Sequence, residues 1–125
     1  MATRKPNFPS VADFDSWSTE AEDTAIGEIV EAARVKYIVT AEKKFYGRFP
    51  DGEVVGVPLR LTLEQIEQID QAGDAPVDQI KLLFTLTGMD AEAEAAAKRD
   101  ITEMVSFASQ YFKVFEKVQQ ATSGE

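Results

Sequence analysis

The chain contains no cysteine and no histidine. The first absence excludes disulfides, thiolate metal sites and a thiol nucleophile. It suits a reducing compartment, although exported proteins can lack cysteine too. The second absence removes the commonest general base, the commonest transition-metal ligand and the usual proton switch near neutral pH. Triads built on histidine cannot be assembled. Carboxylate pairs and lysine chemistry stay open in principle, but the expectation is a protein that is not an enzyme and holds no metal or cofactor. Long apolar runs are missing as well: nothing approaches the roughly 20 residues of a membrane span. Met1–Ser10 is charged and proline-bearing, unlike a signal peptide. The expected location is cytoplasmic, with no membrane partner.

Basic residues are scarce, at 13 Lys/Arg against 22 Asp/Glu for a net charge of −9. Residues 1–60 hold 8 Lys/Arg against 10 Asp/Glu, a net of −2, whereas residues 61–125 hold 5 against 12, a net of −7. Nucleic-acid binding needs a basic footprint, so no nucleic-acid partner is expected. An acidic surface favours basic or amphipathic partners instead.

What is present suffices for one domain. A chain of 125 residues buries about two-thirds of the surface that its unfolded state exposes. Residues 1–23 read as a polar N-terminal arm, because Pro6 and Pro9 discourage an early helix. Yet Phe8, Val11, Phe14 and Trp17 recur every three residues, which fits either docking on the chain's own domain or ordering on a partner or a second copy. Residues 24–125 read as a single helical domain. A helix from Thr24 carries Ile26, Ile29, Val30 and Ala33 on one face. β-Branched and aromatic residues then become dense over Arg34–Val39.

A β-hairpin is expected at about 43–58, around Pro50-Asp51-Gly52, with Pro58 either ending its second strand or confining it to an edge. Thr62 caps a helix that ends at Ala72-Gly73, and Asp74 is expected to cap the next, with Pro76 in its first turn. An alanine- and glutamate-rich stretch follows Asp90. Asp100-Ile101-Thr102-Glu103 starts a last helix with Ile101, Met104, Val105, Ala108, Tyr111, Phe112, Phe115 and Val118 along one stripe. The fold class is α+β, mostly α: a hairpin packed on a cluster of about four helices.

Chemistry-bearing patterns are weak. Asp13, Asp15, Glu20, Glu22 and Asp23 lack calcium-loop spacing. Glu92, Glu94, Asp100 and Glu103 have no histidine beside them, unlike bundle di-metal sites. Gly47, Gly52 and Gly56 match hairpin punctuation, not a phosphate loop. Lys43, Lys44 and Arg48 interleave with Phe45, Tyr46 and Phe49, which strand alternation explains without a nucleic acid. Phe107 and Val114 widen the last helix's stripe beyond one face, and surplus apolar surface in a small domain often meets another chain. An aromatic stripe such as Phe107, Tyr111, Phe112 and Phe115 most often means core; its surplus width makes the same residues the expected partner-binding set, assisted by Phe8, Phe14 and Trp17.

Several stretches occur together in one family: Phe45-Tyr46-Gly47-Arg48-Phe49-Pro50-Asp51-Gly52, Val57-Pro58-Leu59-Arg60-Leu61, Ala75-Pro76-Val77-Asp78-Gln79-Ile80-Lys81-Leu82-Leu83 and Ser109-Gln110-Tyr111-Phe112. Over roughly residues 42–125 the chain resembles the tail assembly chaperones of long-tailed bacteriophages and prophages, particularly of actinobacterial hosts. The resemblance implies a protein of the infected or lysogenic host's cytoplasm, absent from the mature virion. It implies binding to the tape-measure protein, and to tail tube subunits, so that the tape measure stays soluble during tube assembly. It further implies a longer product made by ribosomal frameshifting, with which this shorter form, ending Gly124-Glu125, would associate, and it leaves room for a homo-oligomer. The rival expectations are a structural virion protein, such as a head–tail connector or minor tail protein, and a small acidic adaptor or inhibitor of a basic partner.

Overall fold

A computed structural model describes residues 8–124. The start of the expected arm, residues 1–7, and the terminal Glu125 lie outside the described residues. The fold is α+β and mostly helical: α1 (Val11–Asp15), α2 (Thr19–Ala32), β1 (Lys36–Thr40), β2 (Lys44–Arg48), β3 (Val54–Pro58), α3 (Leu63–Gln71), α4 (Pro76–Leu86), α5 (Asp90–Lys98) and α6 (Ile101–Ser123). The chain divides into two compact units, Met1–Glu31 and Ala32–Glu125. The sequence reading places the end of the arm at residue 23.

The described part of the first unit is helical where an arm was expected. Ser10 Oγ accepts from the Asp13 N–H at 3.2 Å, and the Asp13 carboxylate accepts from the Ser10 N–H at 2.8 Å. This reciprocal capping box starts α1 just beyond Pro9, so that proline precedes the helix instead of interrupting it. α2 begins five residues before the expected Thr24. The Ser18 hydroxyl accepts from the Ala21 N–H at 3.1 Å, and Glu20 and Glu22 stand in the first turn, where carboxylates oppose the helix dipole. Neither α1 nor α2 contains a buried residue.

The second unit holds an antiparallel sheet of order β1-β2-β3 and the four helices α3–α6. The expected hairpin is β2–β3, with Phe45 opposite Val57 and Arg48 opposite Val54. The Asp51 carboxylate accepts from the Glu53 N–H, and Gly52 takes φ of 95°, the left-handed region open to glycine. The dense run after Arg34 supplies a third strand, pairing Tyr37 with Gly47, Ile38 with Tyr46 and Val39 with Phe45. Thr62 caps α3 in a box with Gln65, as its sequence indicates. At α4, Ala75 occupies the cap position without a side-chain bond, and Pro76 stands at the start of the helix. Asp74 is therefore displaced from the role expected of it.

The core lies between the sheet and the helices. Phe45, Phe49, Val57 and Leu59 meet Ile80, Leu83 and Phe84 of α4 and Met104, Phe107, Ala108, Tyr111 and Val114 of α6. Phe107 stacks on Phe49 at 5.2 Å between centroids and meets Phe45 edge-on at 5.5 Å. A Cβ on Gly47 would stand 2.5 Å from Phe107 Cε2, so only glycine lets this ring approach the strand. This contact sets the rotation of α6. Phe107 and Val114, expected off the main face, are at its centre, while Ile101 and Val105 are 63% and 44% exposed.

Candidate protein-binding surfaces

The structure places the seven expected partner-binding residues in three settings. Phe107 and Tyr111 have no exposed surface. Their assignment to a partner face is corrected: the sheet already covers them. The Tyr111 hydroxyl donates to the Pro58 carbonyl at 2.5 Å, and burial raises its phenol above the ordinary range. Phe112 and Phe115 are half-buried against the core, where Phe112 meets the Tyr111 ring edge-on and Phe115 stacks on it. Phe8, Phe14 and Trp17 are exposed, at 61%, 71% and 57%.

The first unit therefore contains one concentration of open apolar surface; Ile38, Val54, Leu63 and Ile101 are exposed in the second. Pro9, Phe14, Trp17 and Ala21 line an open cleft of about 720 Å³ with Asp13 and Ser16 at its polar edge. Along α2, Ile26, Ile29 and Val30 are each at least half exposed. Their spacing was legible as an amphipathic stripe, but such a stripe ordinarily faces the chain's own core. Sequence reasoning thus found these residues but not their exposure. Single exposed apolar residues are unremarkable; here three of the four stripe residues stay about half exposed and only Ala33, just past the helix, is buried, which leaves much of the helix's main source of stability unsatisfied. Between residues 8 and 33 there are 7 acidic residues and no basic one, so the surface is apolar with an acidic border.

In the second unit the polar groups around Arg99 are committed to structure. The Arg99 guanidinium meets Asp51 at 3.2 Å, Glu53 at 2.5 Å and Glu103 at 2.8 Å, and lies 3.8 Å above the Phe49 ring. Glu103 thereby leaves the capping role expected of it, while Asp100 caps α6 through the Thr102 N–H. The Glu53 N–H, then Arg99, hold the Asp51 carboxyl below its usual value. A cleft of about 220 Å³ between β3 and α5 has Arg99 on its wall. With three carboxylates around it, that guanidinium has little charge to offer an anion.

Of the basic–aromatic interleaving on β2, Phe45 and Phe49 are buried, whereas Lys44, Tyr46 and Arg48 alternate onto the opposite face. Among the described residues no three acidic side chains converge as a metal site, and no helix is long and apolar enough to cross a membrane. Comparison with protein-family models, with curated proteins and with solved structures gives no match.

Proposed function

We propose that this protein is a tail assembly chaperone that holds the tape-measure protein soluble by covering its apolar helices. The observation that carries the reading is the first unit: two helices with no buried residue, presenting Phe14, Trp17, Ile26, Ile29 and Val30 to solvent. A client helix that covers a half-exposed side chain of this kind gains about 1 kcal/mol from each. Several together make a reversible grip that needs no catalysis. The acidic border supports solubility and favours a client with basic flanks. The stretches that resemble phage tail assembly chaperones lie in the second unit, so on this reading the sheet–helix domain is the scaffold and the first unit the grip. The protein acts in the host cytoplasm and does not remain in the finished particle.

Co-expression tests this. The tape-measure protein should be recovered soluble with the native chain, and Trp17→Asp combined with Ile29→Asp should return it to the insoluble fraction while the variant itself stays folded. Soluble client with the double variant would refute the grip. Mass spectrometry of purified particles addresses the structural-virion alternative: the chain should be missing. The 7 carboxylates favour, as a second reading, an adaptor for a basic partner. Binding that collapses at high salt would select it, because screening weakens charge contacts and leaves apolar ones intact.

A further inference from the structure

We infer that β1 is the seam of a homodimer, in which two copies pair antiparallel through this edge with the two-fold axis at Ile38. The inference does not depend on the client proposed above.

The two edges of the sheet are treated differently. On β3 the chain ends the strand with Pro58, which has no N–H, and the Tyr111 hydroxyl takes up the Pro58 carbonyl. These are devices that blunt an edge. β1 has only Lys36 to discourage pairing, and Tyr37, Ile38 and Val39 are 37%, 65% and 45% exposed.

The hydrogen-bond alternation identifies which backbone groups are open. Phe49 exchanges bonds across the hairpin, its N–H donating to Glu53 O at 2.8 Å. Odd-numbered residues of β2 thus turn their main-chain groups toward β3, and even-numbered ones toward β1. Lys36, Ile38 and Thr40 are the partners of those even positions. The N–H and C=O of Val35, Tyr37 and Val39 consequently point away from the sheet. α6 satisfies the first of these: the Val35 N–H donates to Ser106 Oγ at 2.9 Å, and the Val35 carbonyl accepts from Gln110 Nε2 at 2.5 Å. Tyr37 and Val39 meet no such partner among the described residues.

This arrangement selects both the occupant and the register. Only one antiparallel pairing of β1 with a second β1 joins the two open residues to each other, Tyr37 to Val39 of the second copy and the reverse. It forms four main-chain hydrogen bonds. A shift toward the N-terminus would need the Val35 groups that α6 already holds, and a shift the other way runs into the turn at Ala41. The same register sets Ile38 against its own copy and Lys36 against Thr40, with no like charges opposed. Tyr37 and Val39 become aromatic and β-branched cross-strand neighbours, a favourable combination. It also directs the Arg34 end of each strand toward the Glu42 turn of the other.

The absence of cysteine makes the test direct. Facing residues in a non-hydrogen-bonded antiparallel pair have Cα atoms about 4.5 Å apart, within the roughly 4.4–6.8 Å that a disulfide spans. In the full-length chain, Ile38→Cys should give a disulfide-linked dimer under mild oxidation, while Val54→Cys, comparably exposed on the opposite edge, should remain monomeric. Ile38→Lys should shift the sedimenting species from dimer to monomer while its circular dichroism stays that of the folded chain, because within one copy the native side chain is largely in solvent. A wild-type chain that sediments as a monomer at every concentration would overturn the seam. So would cross-linking at position 38 no faster than at position 54, or a dimer that survives Ile38→Lys.

Discussion

Replacing Gly47 with alanine should destabilise the second unit, and the loss should depend on Phe107. The added Cβ would lie 2.5 Å from Phe107 Cε2, 2.8 Å from its Cδ2 and 3.1 Å from Val35 Cγ1. Neither neighbour can retreat: Phe107 is fully buried between Phe45, Phe49 and Phe84, and Val35 is 1% exposed. Overpacking of this kind costs about 1–3 kcal/mol. In open space the same substitution in an extended strand would gain a few tenths to about 1 kcal/mol by stiffening the unfolded chain, so the sign alone tests the contact. Phe107→Leu removes the ring edge and also costs stability by leaving space. Combined with Gly47→Ala it should cost less than the two changes separately, since the new methyl enters the space that the ring vacates. Contacting residues show interaction energies of about 0.5–3 kcal/mol in such cycles. Urea unfolding followed by circular dichroism would measure all four midpoints. Strict additivity, or stabilisation by Gly47→Ala alone, would refute the packing of α6 on the sheet through this glycine.

Three further outcomes follow from other contacts. Gly27→Ala, in the middle of α2 with nothing near its added Cβ, should raise helical content and slow amide exchange in that helix, gaining about 1 kcal/mol locally. Arg99→Ala should lower stability by about 1–2 kcal/mol, a figure reduced because Asp51 and Glu53 are more than half exposed; Arg99→Lys should recover little, as one ammonium cannot reproduce a fork that meets three carboxylates and a ring. Tyr111 has a phenol pKa raised in the fold above the ordinary 10.0. Its contribution is fully present below that value and is lost as pH rises beyond it, so Tyr111→Phe should flatten the alkaline limb of stability against pH.

Much of the second unit was legible because local signals and tertiary demand agree there. The Pro50-Asp51-Gly52 turn, the Thr62 cap and Asp100 at the start of α6 all do in the structure what their chemistry suggests. β1 was visible only as a change of period after Arg34, since a lone strand has no turn signal to announce its partner. The buried face of α6 was misjudged because its apolar stripe is wider than a single face. Its rotation is decided by Gly47, a residue 60 positions away whose missing side chain admits Phe107. Among the expected binding residues, Phe107 and Tyr111 belong to the core and Phe14 and Trp17 to the surface, a division that spacing alone does not reveal. Aromatic residues at helical spacing look alike whether a sheet covers them, as with Phe107 and Tyr111, or solvent does, as with Phe14 and Trp17. Composition gives the rule that greasy helices need cover; only the fold tells which of them already has it.

The most direct measurement is hydrogen–deuterium exchange of the full-length chain, alone and in complex with co-purified tape-measure protein. New protection should concentrate between Ser10 and Ala33, across α1 and α2, with the buried turns of α6 unchanged. Protection confined to α6 around Phe112 and Phe115, or no change anywhere along the first unit, would contradict a client held on the exposed stripe.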